Sequence, residues 1–233
     1  MWRAPLNSGL HLAAGWLVAE AYNLDYPKRR LVALASVAPD LDGLSIILGT
    51  DAFRTYHHLI FHNLLSLSVM TSLVAVLTRS GKATLAAFLG VTLHFACDFV
   101  ASDWTLYLFE PFWDLRLNLT AVLPSWMVVY LFQGLGTIVV FGLVVWVAWR
   151  RERTFLEVFI RRGDLLMVRW FLQWLRGRRC VCGARAHFVC RTCGKDLCGR
   201  HIAVGHHPLR ILCRTCAAQE ERPEKSNKGS LQP

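Results

Sequence analysis

Residues 122–149 contain no charged side chain, and Arg150, Arg151 and Arg153 end the run. Crossing the hydrocarbon core takes about 20 apolar residues, so a run of this kind reads as a membrane span. The remaining charge is divided to match. Residues 1–149 carry 8 Lys+Arg against 9 Asp+Glu, whereas residues 150–233 carry 18 against 7, a net of +11. A greasy part is thus followed by a basic, water-facing part. A basic segment directly after a span fits anionic lipid and topology better than nucleic acid, which is an unlikely partner here.

Upstream, residues 8–22 form a modest apolar segment. His11 in its middle and the lack of a compact apolar block argue against a cleaved signal peptide. Residues 31–49 are long enough to span, but Pro39 breaks them and Asp40 and Asp42 sit at their centre. A broken helix lining a polar cavity is the expected form. Residues 59–78 and 83–101 read as two further spans, joined by a turn with Arg79 and Lys82. The aromatic loop 102–121 suits a membrane interface. Residues 154–178 read as a basic amphipathic helix lying in the interface, or two short ones broken at Gly163. The positive-inside rule places Lys28–Arg30, Arg79/Lys82 and the chain from Arg150 onward in the cytoplasm. Asp40, Asp42, His57, His58, His94 and Asp98 then gather near the opposite face. The expected fold is an all-α, polytopic membrane helical bundle over residues 1–150. A juxtamembrane basic helix follows at 151–179, then a zinc domain at 180–216 and a disordered tail at 217–233.

Ionisable groups within spans are costly and point to function. His94 and Asp98 share one helical face at i, i+4, and both can ligate Zn²⁺. His58 and His62 have the same spacing. Asp40 and Asp42 point to similar sides if the backbone between them is extended. Asp40 or Asp42 could otherwise cap a helix beginning near Leu44. His11 has no partner in its own helix and can reach one only across the bundle. A dinuclear metal site explains five His and three Asp more economically than unrelated buried polar groups.

His11, Pro39-Asp40-Leu41-Asp42, Tyr56-His57-His58-Leu59-Ile60-Phe61-His62-Asn63 and Leu93-His94-Phe95-Ala96-Cys97-Asp98 occur in order, followed by Glu110-Pro111-Phe112-Trp113. Over about residues 8–116 this order resembles the family of membrane-bound, metal-dependent hydrolases related to the bacterial inner-membrane protein YdjM. The family pattern His-Arg-Gly-x-Thr-His-Ser departs here: His58 replaces the Arg, Leu59 the Gly, Phe61 the Thr and Asn63 the Ser. The family in turn is similar to zinc-dependent phospholipase C, an all-helical fold. The resemblance implies ligands at His11, Asp40 or Asp42, His57 or His62, His94 and Asp98, with one to three catalytic Zn²⁺. It implies phosphodiester hydrolysis, with Asp42 or Asp98 orienting the attacking water. Phospholipid follows only from the site's place at a membrane surface, and the location implied is a bacterial-type inner membrane. His-Glu-x-x-His and Gly-x-Ser-x-Gly, the marks of zinc proteases and serine hydrolases, are absent. The competing expectation is a non-catalytic membrane scaffold whose C-terminal zinc module recruits a protein or nucleic-acid partner.

Seven of the eight Cys lie within 180–216, in the order C-x-C-x7-C-x2-C-x4-C-x2-H-x11-C-x2-C. Cys180, Cys182, Cys190, Cys193, Cys198, His201, Cys213 and Cys216 supply eight ligands, enough for two structural tetrahedral zinc sites. His206 and His207 are possible substitutes. The order resembles B-box-type cross-brace fingers, apart from the short Cys180-x-Cys182 pair. That resemblance implies one site from Cys180, Cys182, Cys198 and His201 and another from Cys190, Cys193, Cys213 and Cys216. Such a module can recruit a protein partner, while membrane lipids are the partner of the greasy part.

Overall fold

The computed structural model describes residues 8–102, 104–204 and 210–220. The chain divides into two compact units, residues 1–147 and 148–233.

In the first unit, α1 (Ser8–Ala21), α2 (Tyr26–Val37), α4 (Leu64–Thr78) and α5 (Gly81–Ala101) pack together. Between α2 and α4 lie a 3₁₀ segment, Ala38–Leu48, and the short α3, Thr50–Tyr56. Pro39 sits in the first turn of the 3₁₀ segment, where its missing N–H costs no hydrogen bond. The break expected at Pro39 is present. The backbone after it, however, is 3₁₀ rather than extended, and no helix starts at Leu44.

Small residues set how closely the helices approach. A Cβ on Gly15 would lie 2.2 Å from Ser36 Oγ and 2.3 Å from Ser36 Cβ. A Cβ on Gly90 would lie 2.2 Å from the same Oγ, and Gly15 Cα is 3.7 Å away. Thus α1, α2 and α5 meet at Gly15, Ser36 and Gly90, the small-residue contact common between helices in membranes. Above it, Val32, Ala35, Val74, Ala83, Ala86 and Ala87 form an apolar core.

Arg29 corrects the reading of its loop. The sequence groups it with Lys28 and Arg30 as a topology charge, but it is buried and its Nε lies 3.0 Å from Glu20 Oε1. It ties α1 to α2 instead of facing water.

Among the described residues, three helical stretches are long and apolar enough to cross a membrane: Tyr26–Leu48, Gly81–Ala101 and Tyr130–Arg151. The expected span at 59–78 is shorter. Its helix α4 begins only at Leu64 and has 15 residues, about 22 Å at 1.5 Å per residue. Asn63 starts it, its Oδ1 accepting from the Ser66 N–H at 2.9 Å. The last span continues from a π-helical turn, Met127–Phe132, into α6, Gln133–Arg151.

The second unit begins in the last turn of α6. Helix α7, Glu157–Arg176, is amphipathic as expected, but it breaks at Ile160 (φ −132°, ψ 73°) and not at Gly163. Gly163 makes room for that break, since a Cβ there would meet Ile160 Cγ2 at 2.7 Å. Two small antiparallel pairs follow, β1 (Phe188–Val189) with β2 (Asp196–Leu197) and β3 (Ile202–Val204) with β4 (Ile211–Cys213). Helix α8, Arg214–Glu220, closes the module, so ordered structure runs four residues past the boundary expected at 216. His206, His207 and residues 221–233 lie outside the described residues.

Candidate metal centres

The first centre lies in the helical unit. His94 and Asp98 project from α5, His11 from α1, Asp40 and Asp42 from the 3₁₀ segment, and His57, His58 and His62 from the turn before α4. His11 and His94 each stand one turn from a glycine of the close contact, Gly15 and Gly90. Their rings stack with centroids 3.9 Å apart. His58 and His62 do share a side, but not through a helix. Residues 57–63 form an irregular turn in which His58 takes φ +67°, and the two rings stack at 4.0 Å.

Partners fix the orientation of two rings. His94 Nδ1 lies 2.8 Å from the Ser36 carbonyl oxygen, which can only accept, so Nδ1 carries a proton and, in the neutral ring, Nε2 presents a lone pair. His62 Nδ1 lies 2.9 Å from Asp42 Oδ2, which has the same consequence. The two Nε2 atoms face one another at 3.1 Å. Asp98 Oδ2 is 3.1 Å from one and 3.2 Å from the other. Asp98 Oδ1 lies 3.2 Å from His11 Nε2. Asp40 Oδ1 approaches His94 Nε2 at 3.6 Å and His62 Nε2 at 3.9 Å. With both rings neutral, the two Nε2 atoms and Asp98 Oδ2 converge as acceptors. A single proton relieves only one pair at a time, whereas a cation satisfies all of them together.

Two ligand sets follow from the distances. His11, Asp40 and His94 form one, and His58, His62 and Asp98 form the other, each with ligand atoms within 4.8 Å of one another. Asp98 links them, with one oxygen toward His11 and the other toward His62 and His94. Among the described residues, His11 Nε2, Asp40 Oδ2, His57 Nε2, His58 Nδ1 and Asp98 Oδ2 are buried without a well-formed hydrogen bond. An unmet buried polar atom costs about 1–3 kcal/mol, so such a cluster could hold a ligand.

Of the alternatives the resemblance left open, Asp40 and His62 fall in the metal-capable groups and Asp42 and His57 do not. Asp42 Oδ1 lies 2.8 Å from His57 Nδ1, while Oδ2 receives the His58 backbone N–H at 2.9 Å as well as His62 Nδ1. It sits behind the histidines and orients them. His57 belongs to neither ligand set. Its ring is stacked on Phe53 at 4.6 Å and edge-on to Trp104 at 5.1 Å. Sequence reasoning took Trp104 for an interface aromatic and passed over Ser36 and Phe53. Glycines spaced four residues from His11 and His94 were the available signal for the helix contact that positions Ser36.

The second centre is in the cysteine module. All eight Cys are free thiols. Cys180, Cys182, Cys198 and His201 form one group and Cys190, Cys193, Cys213 and Cys216 another, the interleaved pairing that the finger resemblance implied. Cys182 and Cys198 Sγ are 3.6 Å apart, Cys193 and Cys213 Sγ 3.8 Å, and His201 Nδ1 is 3.4 and 3.2 Å from Cys180 and Cys198 Sγ. A tetrahedron with Zn–S near 2.3 Å has S–S edges of about 3.8 Å, so the spacing fits. Backbone N–H groups of Cys182 and Cys198 draw the Cys180 thiol down to about 6. Burial opposes ionisation of Cys190, but the N–H groups of Cys193 and Cys213 prevail and bring it to about 6. Hydrogen bonding to the Cys198 sulfur raises His201. Thiolates are what a metal requires.

A sequence model of the family described as YdjM inner membrane protein matches residues 6–174. No curated protein and no solved structure matches the chain.

Proposed function

The chain belongs to the YdjM inner membrane protein family, and from that premise we propose that it is a membrane-bound, metal-dependent hydrolase of phosphodiester bonds. The observation that carries this reading is the convergence of His62 Nε2, His94 Nε2 and Asp98 Oδ2 within 3.1–3.2 Å, with donors only on the far side of both rings. His11, Asp40 and His94 would hold one divalent ion and His58, His62 and Asp98 a second. Ions held there would make hydroxide available by lowering the pKa of bound water to about 7, and would offset charge on phosphoryl oxygens. The chain's own residues do the rest. Asp42 holds His57 and His62 in register. His57 Nε2, buried with Nδ1 anchored on Asp42, is the atom placed to carry a proton to or from a substrate oxygen. Trp104 and Phe53 wall that ring in and restrict water. Phospholipid is the favoured phosphodiester, because exposed Leu41, Leu44 and Ile47 share one side of the 3₁₀ segment that carries Asp42. The cysteine module would hold two structural Zn²⁺, in the cytoplasm by the charge rule, and offer a docking face to a protein.

The test is a metal count on detergent-purified protein. Wild type is compared with His94→Gln/Asp98→Asn and with Cys190→Ser/Cys213→Ser. Loss of one or two ions in the first variant, independent of the loss in the second, supports the membrane centre. Phosphodiester and phospholipid substrates are then screened. If the first variant keeps every ion, the hydrolase reading falls.

A further inference from the structure

Helix α7 buries one face and leaves another half-exposed. Asp164, Val168, Leu172 and Gln173 are buried. Met167, Trp170, Phe171 and Trp174, at i, i+3, i+4 and i+7, are 55%, 46%, 50% and 42% exposed. That spacing forms one stripe, and exposing such an apolar stripe to water is unfavourable. Exposed Arg162 and Arg176 lie toward the opposite side of the helix, and Arg178 and Arg179 follow its end.

What covers the stripe can be argued from its attachment. Only five residues separate the end of α6 at Arg151 from the start of α7, and α6 is long and apolar enough to cross a membrane. The last turn of α6 and the linker after it also hold α7 directly. Arg169 Nε lies 2.8 Å from Glu152 Oε2, the Arg176 guanidinium stands 5.4 Å over the Trp149 ring, and the Thr154 N–H donates to Asp164 Oδ2 at 2.8 Å. Helix α7 is therefore fastened to the end of a candidate span. The cysteine module adds charge beside the stripe: Arg185 stands 5.5 Å over Trp174, and His187 stacks on Trp170 at 5.6 Å.

We infer that α7 lies in the bilayer interface, with Met167, Trp170, Phe171 and Trp174 seated at the headgroup–acyl boundary and the flanking arginines holding anionic phospholipid headgroups. The inference needs membrane residence but not the metal chemistry. Lipid also explains why tryptophans, which favour that boundary, make up half of the stripe.

The full chain in nanodiscs tests it. Emission of Trp170 and Trp174 is isolated by subtracting the spectrum of Trp170→Phe/Trp174→Phe from that of wild type. Discs contain phosphatidylcholine with or without phosphatidylglycerol, brominated high on the acyl chain. We expect about twofold quenching of the difference emission in phosphatidylglycerol discs, as for rings about 5–10 Å deep, and less in Arg162→Gln. Slower hydrogen exchange of residues 164–176 in phosphatidylglycerol than in phosphatidylcholine discs gives a second reading without substitution. An unquenched difference emission in both disc types would show the stripe facing water, protein or a second copy, and the inference fails. Equal quenching and exchange in both disc types would overturn the role of anionic headgroups.

Discussion

Both oxygens of Asp42 are engaged by groups that face the metal-capable cluster: His57 and His62 through their rings and His58 through its backbone. Replacing Asp42 with Asn keeps the volume but offers only one acceptor, so one ring must turn or lose its partner. Carboxylates in this position typically tune metal affinity by about 10–100-fold. We expect Asp42→Asn to fold, keep the metals of the cysteine module, and bind the membrane-site ion about 10–100-fold more weakly in a competitive chelator titration. An unchanged affinity would show that Asp42 does not orient the ligands. The departures from the family pattern also become physical at this scale. Asn63, standing for Ser, keeps the N-cap of α4, because both residue types cap well. His58, standing for Arg, puts an imidazole into a ligand set where the pattern has a fixed charge.

At the scale of elements, the triple contact of α1, α2 and α5 sets the distance between His11, His94 and the Ser36 carbonyl. The two glycines are not equivalent. At Gly15 an added methyl meets Ser36 Cβ at 2.3 Å, which no rotation of the side chain relieves. At Gly90 the close atom is Ser36 Oγ, while Cβ is 3.4 Å away. Overpacking of this kind costs about 1–3 kcal/mol. Gly15→Ala should therefore lower the midpoint of thermal unfolding in detergent more than Gly90→Ala does. Adding Ser36→Ala should rescue Gly90→Ala but not Gly15→Ala. Equal effects of the two glycine substitutions would place the contact elsewhere.

At the scale of the molecule, two compact units carry two metal-capable regions of different chemistry, and acid should separate them. An ordinary thiol titrates near about 8.5. In the folded module Cys180 and Cys190 titrate near 6. A depressed value contributes stability that is full above the ordinary value, shrinks as pH falls toward the folded one, and is gone below it. The module should thus lose metal and order as pH drops from about 8.5 through about 6. We expect hydrogen exchange of residues 180–220 to rise across that window and on treatment with a chelator, while α1, α2 and α5 keep their protection. Concerted loss in both units would show that they do not fold separately.

Much of this was legible in the chain alone. Hydropathy and the Arg150–Arg153 stop marked the last span, because lipid forbids unpaired charge over that length. Cysteine spacing marked the zinc-capable module, because a tetrahedron needs four ligands from short knuckles. His94 and Asp98 declared themselves by helical spacing. Other features depended on contacts distant in sequence. Arg29 looks like a loop charge until Glu20 is packed against it, and α4 looks like a full span until residues 59–63 are drawn into the turn that carries His62. Asp40 and Asp42 are interchangeable as letters. Only the fold puts Asp40 among the metal-capable groups and Asp42 behind the histidines, because ring orientation is decided by which acceptor reaches Nδ1, and those acceptors come from other elements.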